Sequence, residues 1–128
     1  MTSAVVEIAI DNRSGAAVEE AELAATCTRV LAAEGVQEGE LGLAFVAPDE
    51  IRALKREHLG INEATDVLSF PIDGKEQLPA GMPRALGDVV LCPQVVGDEW
   101  RAPLVHGLLH LLGYDHGVEM SEREEALR

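Results

Sequence analysis

A small sheet covered by helices, in the α+β or α/β class, is the fold this sequence predicts, and three observations carry the prediction. Apolar residues in the first half switch between a period of two and a period near 3.6. Turn residues fall between the switches. The second half ends in helix with no strand after it. Strand and helix that alternate and then give way to helix fit a sheet with helices packed on it. Four strands can be read, so a small mixed four-stranded sheet in one domain accounts for the 128 residues.

The elements follow in order. Residues 4–10 (AVVEIAI) are β-rich, and Asp11, Asn12, Ser14 and Gly15 close them as a turn. Leu23, Cys27, Val30 and Leu31 recur at helical spacing over 18–33. Glu19, Glu20 and Glu22 crowd the first turns, where the helix dipole favours anions, and Gly35 supplies the stop. Residues 40–46 (ELGLAFV) alternate as a second strand. Pro48 suits a first helical position, and a short helix runs from 49 to about 57. Residues 65–72 (TDVLSFPI) form a third strand, 73–86 a loop rich in Gly and Pro, and 87–92 (GDVVLC) a fourth strand. A helix over 103–112 follows, and Ser121 with Glu124 reads as a capping box that starts a last short helix of structural rather than catalytic purpose. No internal repeat, low-complexity segment or linker interrupts the chain.

Composition narrows the function. Four aromatic residues, Phe45, Phe70, Trp100 and Tyr114, leave the core to aliphatic side chains and offer little base-stacking surface. Asp and Glu number 23 against 10 Lys and Arg, a net charge of −13. Such a surface repels phosphate backbones at long range and argues against a nucleic-acid coat protein. It leaves room for an enzyme that meets RNA at one local positive site. No apolar run approaches the ~20 residues of a membrane span, and residues 1–10 lack the order of a signal peptide. Cys27 and Cys92 lie far apart and read as unpaired core thiols of a reducing cytoplasm.

Four histidines are present, and three fall within HGLLHLLGYDH at 106–116. On a helix His106 and His110 share one face, with leucines covering most of the rest. Gly113 is the natural stop, and beyond its turn His116 can swing back beside the other two. Three neutral imidazoles around one point make a zinc site with a coordination position left open. Zinc lowers the pKa of water at such a position to about 7, which suits hydrolysis. The spacing matches that of the metzincin peptidases, but H-E-x-x-H requires a glutamate where this chain has Gly107. A peptidase is therefore disfavoured.

At these residues the sequence resembles the YbeY family of bacterial single-strand endoribonucleases, or rRNA maturation factors. HGLLHLLGYDH matches the family's histidine signature at every fixed position. TDVLSFP at 65–71 and LGDVVLCP at 86–93 match its two strand motifs, and Met120 with Glu124 resembles its terminal Met-x-x-x-Glu. The resemblance implies a zincin-like fold and a zinc-dependent RNA hydrolase of the cytoplasm, with His106, His110 and His116 as metal ligands. It implies action on ribosomal RNA precursors, notably at the 3′ end of the small-subunit RNA, and in ribosome quality control. RNA and the ribosome would be its partners, with a ribosomal protein or a GTPase as a further one, and no DNA or membrane. Three departures stand out: Leu59 occupies the place of the family's usual arginine, the segment between Cys92 and His106 is short, and the tail after His116 is compact.

Other residues have two readings each. Asp115 suits either orientation of a ligand imidazole or a plain turn. Asp66 and Asp88 fit solvated strand ends better than the site, and Ser69 fits a hydroxyl that satisfies strand or loop backbone. Arg52, Lys55 and Arg56 lie on one helical face and are the best local source of positive charge for phosphates, although a solvated face is the plainer reading. Arg84 is a weaker second source. His58 or Cys92 as a fourth ligand would close the site and favour a non-catalytic, zinc-containing ribosome-assembly factor over an enzyme.

Overall fold

The computed structural model describes residues 6–60, 66–115 and 117–128. In chain order it contains β1 (Val6–Asn12), α1 (Glu20–Ala33), β2 (Gly39–Phe45), α2 (Pro48–Leu59), β3 (Val67–Pro71), β4 (Ala85–Leu91), α3 (Pro93–Val96), α4 (Arg101–Leu111) and α5 (Val118–Leu127). The sheet order is β1-β2-β4-β3. The first three of these strands run parallel, and β3 pairs antiparallel with β4 from Val67 opposite Leu91 to Pro71 opposite Gly87. This is the mixed four-stranded sheet with helices that the sequence predicts. Among the described residues β3 is left as an edge strand, one side of its backbone unpaired within the sheet.

The pleat sends alternate side chains to opposite faces. Leu41, Leu43 and Phe45 of β2, with Val89 and Leu91 of β4, form the main core with α1, α4 and α5. On the other face Leu68, Val90 and Cys92 meet Val46 and Ile51, a smaller cluster beneath α2. α4 lies against β3 and β4, flanked by α1 and α5. Its apolar side chains run almost all round, the pattern of a helix buried on most sides.

Several boundaries differ from expectation. α4 begins at Arg101, two residues early, because Pro103 falls in the first turn, where an amide hydrogen has no intrahelical partner to lose. The short α3 opens on Pro93 and follows β4 directly. The predicted capping box is absent: α5 starts after Gly117, and the Ser121 amide donates to the Gly117 carbonyl from inside the helix. Glu124 is thereby released for another task. The starts of the first and third predicted strands, residues 4–5 and Thr65, lie outside the described residues. Among the described residues no helix is long and apolar enough to cross a membrane.

Candidate active site

A cleft of about 820 Å³ runs along the edge strand. Its floor is β3 with Asp66, one wall is Lys55 and Leu59 of α2, and the other is Ala102, Pro103, His106 and His110 of α4, joined by Glu124 of α5. That volume falls within the ~300–1,000 Å³ typical of ligand sites.

The two histidines stand one helical turn apart with ring centroids 4.6 Å from each other. Each has its Nδ1 held by an acceptor. His106 Nδ1 meets the Glu124 carboxylate across the α4–α5 contact. His110 Nδ1 lies 2.9 Å from the main-chain carbonyl of Tyr114. A carboxylate and a carbonyl can only accept, so Nδ1 carries the proton in both rings. In the neutral imidazole the lone pair then sits on Nε2, the state a metal ligand needs.

Local sequence explains how the Tyr114 carbonyl gets there. α4 ends in a Schellman motif: the Gly113 amide donates to His110 O at 3.0 Å and the Tyr114 amide to Leu109 O at 3.1 Å. Gly113 adopts φ +101°, a left-handed conformation that side chains disfavour. The expected glycine stop is present, and its turn brings Tyr114 back over His110.

The same helix shows what the glutamate of H-E-x-x-H would meet on this backbone. A Cβ at Gly107 would lie 2.9 Å from Val67 Cγ2 and 3.0 Å from Val89 Cγ1. Position 107 faces the sheet, and a glutamate there would be driven into β3 and β4. Ser69 completes the close approach, its hydroxyl donating to the Gly107 carbonyl at 2.7 Å. The hydroxyl does satisfy backbone, that of the helix rather than of strand or loop.

Other candidates divide cleanly. Of the cationic trio on α2, Lys55 lines the cleft, while Arg52 and Arg56 are exposed outside it. Arg84 donates to the carbonyls of Gly74 and Glu76 at 2.7 Å each, pinning the loop before β4. Asp66 lines the cleft and accepts from the Val67 amide at 2.8 Å. Asp88 projects over Gly42 on the face away from α4. His58 packs edge-on against Phe70, ring centroids 4.9 Å apart, and Cys92 is buried beneath α2. Asp115 is exposed in the turn after α4, and His116 lies outside the described residues. Among the described residues no three His, Cys, Asp or Glu side chains form a metal-holding group. Sequence reasoning missed the contact of Glu124 with His106, because the capping-box pattern gave that carboxylate another task. Its place four residues after Met120, on a helix that must pack against α4, was the available signal.

Fold and site together define a class: an α+β protein whose most enclosed helix presents an i,i+4 histidine pair to a cleft beside an edge strand. The family model described as Endoribonuclease YbeY matches residues 9–127. An Endoribonuclease YbeY from Halorhodospira halophila is 42% identical over 94% of this chain and 86% of its own length. One from Beutenbergia cavernae is 38% identical over 90% of this chain and 87% of its own. The chain belongs to the YbeY family. Its fold is similar to the solution structure of TM1509 from Thermotoga maritima, with a TM-score of 0.55 and 23% identity over 96% of this chain and 86% of that one.

Proposed function

We propose that the protein is a zinc-dependent endoribonuclease of the cytoplasm that cleaves single-stranded ribosomal RNA precursors, in maturation of the 3′ end of the small-subunit RNA and in ribosome quality control. The observation that carries this reading is the pair of imidazoles whose Nδ1 atoms are both held by acceptors, which sets both Nε2 lone pairs as donors beside an open cleft. Family membership supports the reaction class.

His106, His110 and His116 would hold the ion, a His₃ donor set suited to zinc. Zinc supplies Lewis-acid stabilisation of charge at a phosphoryl oxygen. Glu124 fixes the tautomer of His106 and strengthens it as a donor. Lys55 is placed to hold a substrate phosphate against the α2 wall, a local cation where the family's usual arginine is Leu59. The edge of β3 leaves room for an extended strand of RNA. A chain of net charge −13 repels RNA at long range, so delivery by a ribosomal protein or a GTPase partner fits this reading.

The assembly-factor alternative needs a fourth protein ligand. The two considered, His58 and Cys92, are respectively against Phe70 and buried under α2. The test is His110→Ala. We expect the folded variant to lose zinc and at least ~1,000-fold in cleavage of single-stranded ribosomal RNA, as befits loss of the metal's several kcal/mol of charge stabilisation. A metal-free variant that cleaves at the wild-type rate overturns the proposal.

A further inference from the structure

Glu34 breaks two local rules at once. It is the C-cap of α1, where the negative end of the helix dipole disfavours a carboxylate, and it is 8% exposed. Burial pushes its pKa up, but the Tyr114 hydroxyl and the Arg123 guanidinium outweigh burial and hold the carboxyl below its ordinary value of 4.5. Residues that violate local preference tend to mark function or strain.

Its partners come from two other elements. The Tyr114 hydroxyl donates to Glu34 Oε1 at 2.6 Å, and Arg123 Nε donates to Oε2 at 3.0 Å. Tyr114 thus has both ends engaged, because its main-chain carbonyl accepts the Nδ1 proton of His110. On α5, Arg123 and Glu124 are neighbours, so one helix steadies the partners of both imidazoles.

We propose that Glu34 is a positioning residue for His110: by anchoring the Tyr114 hydroxyl it holds the Tyr114 carbonyl against Nδ1 and so keeps Nε2 as the ligand nitrogen. The proposal rests on the metal-site reading above. Loss of a group that orients a ligand imidazole typically weakens metal binding ~10–100-fold. Glu34 acts through one further residue, so the low end, about tenfold, is expected.

The test compares Glu34→Ala, Tyr114→Phe and, as control, Arg101→Ala in the full chain. Arg101 forms an ion pair between α4 and α1, with Glu22 at 3.3 Å, so the control removes a tether of α1 without touching Tyr114. Two readouts are taken on folded protein: zinc affinity by competition with a chelating dye, and the His110 tautomer in zinc-free protein by nitrogen-15 imidazole NMR. Glu34→Ala and Tyr114→Phe are expected to bind zinc about tenfold more weakly and to mix the His110 tautomers, with neither change in Arg101→Ala. A folded Glu34→Ala variant with zinc affinity within about twofold of wild type and His110 wholly protonated at Nδ1 overturns the proposal. If Glu34→Ala does not fold, Tyr114→Phe, which keeps ring and backbone, decides by the same criteria. Should wild type bind no zinc, the metal reading fails, while the tautomer comparison in zinc-free protein still decides the role of Glu34.

Discussion

α4 and α2 wall the same cleft, yet six of the eleven residues of α4 are buried, whereas Ile51 is the one buried residue among the twelve of α2. α4 touches α1, α5 and two strands, and both its histidines have Nδ1 partners that other packing fixes. α2 rests on a small cluster and turns most of its charged side chains to solvent. The metal-ligand role proposed for these histidines needs geometry held to a fraction of an ångström, and dense packing supplies that. Leu59 lies on the looser wall, 59% exposed.

The largest effect expected from this contrast is at Gly107. Gly107→Ala puts a methyl against Val67 and Val89, and overpacking of this kind costs ~1–3 kcal/mol. Leu59→Ala, on the opposite wall at 59% exposure, should change stability by less than ~0.5 kcal/mol. Denaturant unfolding of the two variants checks the pair. Equal losses would mean that the walls are equally packed.

Much of this was legible beforehand, for identifiable reasons. The strand–helix alternation, the glycine stop at Gly113 and the i,i+4 histidine pair are local patterns, and the structure carries each of them. The contacts that orient the rings were not legible. Glu124 lies 18 residues from His106 in sequence, and Glu34 lies 80 from Tyr114. Such pairings exist only once α1, α4 and α5 have packed. The reason for glycine at 107 was equally hidden: its absence of a side chain disfavoured a peptidase from sequence, but the close approach of β3 is visible only in three dimensions.

A smaller effect is expected at Lys55. Lys55→Ala should raise KM for single-stranded RNA about tenfold, the scale of one charged hydrogen bond, with kcat little changed. The slope of log affinity against log salt should fall by about one, as for loss of a phosphate contact. Melting should be unaffected, since Lys55 is on the lightly packed wall. A fall in kcat at unchanged KM would instead place Lys55 at the reacting phosphate and break the division of tasks between the walls.

The smallest effect is kinetic and needs no substitution, because each layer contains one cysteine. Cys27 sits in the main core and Cys92 in the cluster beneath α2, both 0% exposed. Neither thiol reacts without local opening, and opening is easiest where few apolar contacts must break. Labelling at pH 8 in native buffer should therefore modify Cys92 at least ~10-fold faster than Cys27, with the two rates converging in denaturant, where both layers are gone. Peptide mapping of the labelled protein reads the order directly. If Cys27 labels first, α1 opens more readily than α2, and the dense support assigned to the histidine helix is not there to hold its rings.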